Sequence, residues 1–310
     1  MADTTAAPAL SGTWYIAPTP FTDAGEVDVD SLQAVVAAAA RWHAEGITIL
    51  GVMGEAPALS DDERRLVLST VAAAARGLIP FAVGCSSPSA GLTAARVAEA
   101  CSAGAAAVMI AAPTLLRDTD QLGPFFATAT AEATVPVIVQ DEPAATGAPL
   151  PVSALLAALQ ASASTTVKLE DPPTPPKIGR LLAARPELTV FGGLGGVSVY
   201  SELARGAAGT MTGFAYPEIL RAIRLAFEAG DRARAAAVYD RFLPYLVFEG
   251  QPVAGLGIRK EVLRRRGVLA TARTRGARPL LDQATAAELD DVLDRVGLVP
   301  APDALDVVGG

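Results

Sequence analysis

The sequence predicts an α/β chain folded as a (β/α)8 TIM barrel with a C-terminal helical appendage. Three observations carry this expectation. Short apolar runs alternate eight times with longer alanine- and leucine-rich runs, the rhythm of repeated strand–helix units around a parallel sheet. The 310 residues suit one large domain, or one domain plus a short appendage. Beyond the eighth apolar run the strand rhythm stops, and only helical patterns follow.

Strands are expected near 13–18, 47–51, 80–84, 106–111, 136–140, 165–170, 189–192 and 209–213. Between them, helical patterns fall near 30–44, 61–77, 90–103, 120–133, 152–160, 175–185 and 197–206, with starts such as Ser60-Asp61-Asp62-Glu63 that fit N-capping. The tail reads as helices near 217–229, 231–247, 252–266 and 284–297. No Gly/Ser-rich or charge-run linker sets this tail apart. The expected layout is therefore an N-terminal extension at 1–12, a barrel at 13–215, a helical region packed on it at 216–299, and a frayed end at 300–310.

Composition narrows the function. With 51% hydrophobic and 19% charged residues the chain is globular, and a net charge of −8 argues against a nucleic-acid surface, which needs clustered basic residues. No apolar stretch reaches the roughly 20 residues of a membrane span, and the first residues lack the pattern of a signal peptide, so a cytoplasmic protein is expected. Cys85 and Cys101 lack metal-ligand spacing and read as ordinary buried thiols. The single histidine, His43, sits at the end of a helical run, which leaves Ser-His-Asp or histidine–metal chemistry without its parts. Neither a metal nor a cofactor is expected.

Positive charge is carried almost wholly by arginine, so the lysines, Lys168, Lys177 and Lys260, each invite a question. Lys260 lies in a charged helix and Lys177 opens one, and both are expected to be solvated. Lys168 falls within Thr165-Thr166-Val167-Lys168-Leu169-Glu170, a strand of a sheet covered on both faces. Alternation puts Val167 and Leu169 toward the helices, and Thr166, Lys168 and Glu170 inside the barrel toward its C-terminal mouth, where barrel active sites lie. Two roles stay open there. A desolvated lysine with a populated neutral amine can attack a ketone to form a Schiff base; equally, Lys168 can sit in an internal ion pair with Glu170 or Asp141.

Two glycine-bearing turns stand at the same mouth. Gly51-Val52-Met53-Gly54-Glu55 could offer backbone N–H groups to a carboxylate, and Gly192-Gly193-Leu194-Gly195-Gly196 could cradle a carboxylate or phosphate or be a tight strand-to-helix turn.

Together these segments resemble the dihydrodipicolinate synthase and N-acetylneuraminate lyase superfamily over nearly the whole chain. Ile16-Ala17-Pro18-Thr19-Pro20-Phe21 resembles the family's opening strand, Gly51 to Ser60 its pyruvyl-carboxylate loop, and Val167-Lys168-Leu169-Glu170 its Schiff-base strand. Gly209-Thr210-Met211-Thr212-Gly213 completes the eighth strand. The resemblance implies a class I mechanism through Lys168, carboxylate binding by Val52, Met53, Gly54 and Glu55 with Gly193 and Met211 nearby, and a homotetramer built as a dimer of dimers, or a homodimer. The departures matter as much. Val52 and Met53 replace the loop's two hydroxyl residues, Gln140 stands where the family has a proton-relay tyrosine, and Ala145 where synthases hold an arginine. Pro113-Thr114-Leu115-Leu116 lacks the tyrosine after the fourth strand. Lysine biosynthesis is therefore not expected. Gln140-Asp141, Lys168-x-Glu170 and Met211-Thr212-Gly213 resemble the branch of L-2-keto-3-deoxyarabonate dehydratases.

The expected function is a cofactor-independent lyase on a small 2-keto acid, a dehydratase or aldolase of a 3-deoxy-2-keto sugar acid. Glu170 is the first candidate to move protons, followed by Asp141, which a bend at the strand end could turn into the mouth, and Glu55; Gln140 could hold a relay water. Two rivals stay open. One is a keto-acid-binding barrel without turnover; the other is a phosphosugar enzyme using the glycines at 192–196.

Overall fold

The strands are short, four or five residues each: β1 (Gly12–Ile16), β2 (Gly46–Ile49), β3 (Phe81–Gly84), β4 (Ala107–Ala111), β5 (Val137–Asp141), β6 (Thr166–Leu169), β7 (Thr189–Gly192) and β8 (Gly209–Thr212). In the computed structural model, which describes residues 10–114, 116, 118–147, 149–275 and 281–307, they close in chain order into a parallel barrel. β8 pairs back onto β1 from Gly12↔Gly209 to Tyr15↔Thr212.

Alternation along each strand divides the side chains between two cores. Tyr15, Val83, Val108, Val139, Val167, Leu169 and Val190 face outward onto the helices, whereas Trp14, Ile16, Ala82, Ala107, Met109, Ile138, Phe191 and Met211 fill the interior. Trp14 lies over Gly46, where a Cβ would come within 2.5 Å of the indole, so glycine is what lets this ring cross the barrel.

The helix ring consists of α1 (Val29–Arg41), α2 (Asp61–Ala75), α3 (Ala90–Ser102), α4 (Leu122–Ala129), α5 (Pro143–Thr146), α6 (Val152–Ala161), α7 (Thr174–Ala184), α8 (Val199–Ala204) and α9 (Pro217–Glu228). The expected Ser60 cap is a full capping box with Glu63. Because α9 packs against β1 and α8, it completes the eighth strand–helix unit, and a boundary drawn at 215/216 cuts that unit in two. Three further helices, α10 (Arg232–Glu249), α11 (Gly255–Arg265) and α12 (Gln283–Val296), form the appendage, with α10 lying on α9 and α12.

The expected fraying of 300–310 does not hold for the residues that can be described. Buried Arg266 donates to the carbonyls of Ala301 and Asp303, Trp42 Nε1 donates to the Pro302 carbonyl, and the Leu305 N–H donates to Glu218. Residues 308–310 and the beginning of the N-terminal extension, 1–9, lie outside the described residues.

Candidate active site

Lys168 pairs in register with Gln140 on β5 and Phe191 on β7, which places it on the inward face, as alternation requires. It is 2% exposed. Its Nζ donates to Glu170 Oε2 at 2.5 Å, and the Gln140 amide donates both to that same oxygen at 2.7 Å and to Glu142 Oε2 at 2.8 Å. A buried ammonium and carboxylate persist in low dielectric only when paired and hydrogen-bonded in this way. The other Glu170 oxygen, Oε1, has no hydrogen-bond partner among the described residues.

The glycine run after β7 is explained by carboxyl side chains pressed against it. A Cβ at Gly193 would lie 2.4 Å from Glu170 Cγ, and one at Gly192 would lie 1.8 Å from Glu202 Oε2. Glu202 accepts a hydrogen bond from Thr174 Oγ1 at 2.5 Å through Oε1, leaving buried Oε2 without a partner among the described residues. Burial pushes its carboxyl up to about 7, with the charge of Glu170 adding to the rise and the Thr174 hydrogen bond opposing it. Within the run, the Gly195 N–H is committed to Thr212 Oγ1 and the Gly196 N–H to the Gly193 carbonyl. Two carboxyl groups pressed against the run and the committed Gly195 and Gly196 amides count against a phosphate there, which weakens the phosphosugar reading.

Lys168, Glu170, Gln140 and Glu142 open onto a cavity of about 230 Å³ at the C-terminal mouth. Ile16 and Met109 line its barrel side, and Val52 and Met53 enter from the loop after β2. Leu194, Gly195, Thr212 and Gly213 close the β7–β8 side, while Glu249, Gly250 to Val253 and Arg259 cover it from the appendage. Thus Lys168, Glu170, Gln140, Val52 and Met53 meet at one place.

The other candidates do not reach it. Gly193 backs Glu170 without lining the cavity, and Met211 lies deeper in the apolar plug, where inward alternation carries it. Gly54 is buried, its carbonyl accepting from Thr19 Oγ1 at 2.6 Å. Glu55 turns away from the mouth through a left-handed backbone (φ 51°) and accepts from Lys260 Nζ and from the Arg275 N–H, both at 2.6 Å. Asp141 is the clearest correction. It is still part of β5, paired with outward-facing Leu169, so no bend brings it into the mouth. Instead its Oδ2 accepts from Lys177 Nζ at 2.5 Å behind the barrel wall, and burial pushes its carboxyl up to about 6 against the pull of Lys177. Neither Lys177 nor Lys260 is solvated as expected: Lys177 also donates to Asp171 and the Leu150 carbonyl, and Lys260 to the Thr19 and Arg273 carbonyls.

Sequence reasoning missed the appendage's contribution. Glu249, at the end of α10, is fully hydrogen-bonded: it accepts from the Ala215 N–H, from Tyr245 Oη at 2.7 Å and from Arg259 Nε at 2.6 Å. Its one sequence signal was an acid and an arginine bracketing the Gly250–Gly255 turn. Among the described residues no group of three or more His, Cys, Asp or Glu could hold a metal ion, and no helix is long and apolar enough to cross a membrane.

A match to known proteins decides the lineage: the family model described as the dihydrodipicolinate synthetase family fits residues 9–293. The chain belongs to this family. Its members are lyases. The chain is 30% identical over 289 residues to L-2-keto-3-deoxyarabonate dehydratase of Azospirillum brasilense, covering 91% of this chain and 93% of the relative. It is 29% identical over 296 residues to 4-hydroxy-tetrahydrodipicolinate synthase of Kineococcus radiotolerans, covering 92% of each. The crystal structure of dihydrodipicolinate synthase from Rhodopseudomonas palustris superposes with a TM-score of 0.87 at 33% identity, over 92% of this chain and 97% of that one. The family resemblance and the barrel architecture read from the sequence are therefore correct.

Proposed function

We propose that this dihydrodipicolinate synthetase family member is a class I lyase acting in the cytoplasm on a small 2-keto acid, with no cofactor, through an imine at Lys168. The substrate of this reading is a 3-deoxy-2-keto sugar acid such as 2-keto-3-deoxyarabonate, which the enzyme dehydrates. One observation carries it: a buried amine opens onto a cavity while hydrogen-bonded at 2.5 Å to a carboxylate able to take its proton. The likeness to a dehydratase of that substrate over nearly the whole chain supports the same choice.

In this reading Glu170 accepts a proton from the Lys168 ammonium, and the freed amine adds to C2 of the keto acid. Glu170 returns that proton to the former ketone oxygen, which departs as water, leaving an iminium that draws electrons from the C3–H bond and Glu170 again ionised. Glu170 Oε1, free of other partners, takes the C3 proton, and the C4 hydroxyl leaves as water with a proton returned to it. Hydrolysis then releases Lys168 and the dehydrated keto acid. Gln140 cannot relay protons as a phenol can; its amide instead fixes Glu170 Oε2. With Ala145 and no arginine at that position, synthesis of dihydrodipicolinate is not part of the proposal. The assembly is proposed as a homotetramer or homodimer, which sedimentation velocity tests.

Borohydride reduction with pyruvate, followed by peptide mass analysis, is expected to add the reduced adduct at Lys168. Turnover is then expected with 3-deoxy-2-keto pentonates or hexonates. A keto-acid binder without turnover, favoured by how tightly Glu170 holds the amine, would show ligand-induced thermal stabilisation and no product. Absence of any adduct across a varied panel of keto acids overturns the lyase reading.

A further inference from the structure

We infer that Arg64 and Arg96 form a second anion-binding site, taking a carboxylate or phosphate group, in a pocket that adjoins the mouth. The pocket, about 340 Å³, is lined from α2 by Arg64, from the turn after β3 by Ser86 and Ser87, and from α3 by Arg96. It shares Val52, Met109 and Gln140 with the Lys168 cavity. Among the described residues that line it, the two arginines are the charged ones, and no Asp or Glu faces it. A chain of net charge −8 has thus gathered two cations on a wall without a carboxylate. The Val52 and Met53 N–H groups take no part in this assignment and stay available for the C1 carboxylate.

Buried charge needs compensation, and here the protein supplies little of it. Arg64 is 8% exposed; its Nη2 donates to the Gly84 carbonyl at 3.2 Å, while Nε and Nη1 have no hydrogen-bond partner among the described residues. Arg96 donates through Nη1 to the Ser86 carbonyl at 2.6 Å, and its buried Nε has no partner among them either. Asp61, an exposed side chain, stands 3.9 Å from Arg96 Nη2, and a pair of that kind adds little. Burial lowers the Arg64 guanidinium from its ordinary value, and the like charge of Arg96 adds to the fall. Hydroxyl donors complete the set. Ser86 Oγ accepts from the Ala111 N–H at 2.9 Å and Ser87 Oγ from the Ser89 N–H at 3.2 Å, so both hydroxyl protons remain to be donated. Two guanidiniums and two hydroxyls with no acid on the wall form a donor set for an oxyanion. The wall shared with the Lys168 cavity favours the acidic far end of a keto acid as the source, which widens the substrate class to keto diacids and phosphorylated keto acids; a free oxyanion is the other source. Only the first source rests on the reading of Lys168 as the imine-forming amine.

The site is tested without any imine, by thermal stabilisation of the intact protein with inorganic phosphate and with malonate, ionic strength being held constant with chloride. Both anions are expected to stabilise the parent. Arg96→Gln should raise the half-saturating concentration by about tenfold or more, and Arg96→Lys should recover part of the loss. Arg64→Gln is expected to act alike; if loss of its Gly84 contact impairs folding, Arg96→Gln carries the test, because that side chain is 19% exposed. Borohydride trapping then reads the source. 2-Oxoglutarate and 2-oxoadipate are compared with 2-oxopentanoate and 2-oxohexanoate, which lack the far carboxylate. Trapping of a diacid at about tenfold lower concentration, lost in Arg96→Gln with the monoacids unchanged, assigns the anion to the substrate. Equal trapping, with stabilisation by phosphate that Arg96→Gln weakens, assigns it to a separate oxyanion. Absence of both stabilisation beyond chloride and preference for a diacid overturns the site, as do effects that Arg96→Gln leaves undiminished. Failure of all four ketones to form an adduct sinks the lyase reading, whereas the phosphate titration still decides the site.

Discussion

Lys168 and Lys177 are both buried, both held at 2.5 Å by a carboxylate, and separated by only one turn of chain between β6 and α7. They differ in what lies beyond the pair. Lys168 faces inward at the barrel mouth and opens on a cavity, whereas Lys177 points at the back of β5 and is closed off by Asp141, Asp171 and the Leu150 carbonyl. Lys260, pinned by Glu55 and two carbonyls, belongs with Lys177. Burial therefore does not distinguish the three lysines; what sets Lys168 apart, and what the proposed function rests on, is access of its amine to an open cavity.

The sharpest way to break this contrast is to remove each amine in turn. Lys168→Met is expected to abolish borohydride trapping and lower turnover by roughly 10⁴-fold or more, as loss of a covalent nucleophile does, with a smaller loss of stability than at Lys177 because Glu170 keeps its Gln140 hydrogen bond and opens on the cavity. Lys177→Met should do the reverse. It strands Asp141 in a dry environment, at a loss of stability on the order of 3 kcal/mol moderated by protonation of the carboxyl, while trapping per folded molecule stays at the parent level. Adding Asp141→Asn should restore part of the stability. Loss of trapping in a folded Lys177→Met protein would erase the distinction.

Within the inward cluster, Glu170→Gln separates imine formation from proton transfer. Turnover is expected to fall by roughly 10²–10⁴-fold, while the adduct at Lys168 remains detectable. Turnover at the parent level would exclude Glu170 and shift the role to a water held by Gln140, whose amide also donates to Glu142 Oε2.

What the sequence could show follows from which regularities are local. Strand parity alone places Lys168 and Glu170 on one inward face, and the same parity puts Asp141 outward; the expected bend failed because β5 keeps its pairing through Asp141. Parity says nothing about depth, so Met211 was expected in the site although it sits in the plug below it. Nor does a helix-opening or charged context reveal burial, which is why Lys177 and Lys260 were expected in solvent. The fold was legible almost throughout because eight strand–helix units repeat. Arg259 was not, since its position depends on how the appendage folds over the mouth, a contact with no counterpart in the local pattern.

A smaller effect tests the outer layer of the same comparison. Glu202, pressed against Gly192 on the helix side of the wall, has its carboxyl raised from an ordinary 4.5 to about 7 by burial. The folded chain thus holds this proton more tightly than the unfolded chain does. Below about pH 4.5 the group is protonated in both states and contributes no difference; between there and pH 7 the unfolded chain ionises first, so stability falls as pH rises, and the loss is complete above about 7. At about 1.4 kcal/mol per pH unit of difference, the full loss is on the order of 3 kcal/mol. Glu202→Gln cannot ionise and should not suffer it. Urea unfolding of both proteins at pH 5 and pH 8 is expected to show the variant gaining on the parent at the higher pH, with any fixed penalty from the new amide cancelling in that difference. Asp141, which titrates in both chains, cancels as well. A parent–variant gap that is the same at both pH values would mean that Glu202 is ionised in its buried place, and that its nearness to Glu170 does not hold a proton at the wall behind that carboxylate.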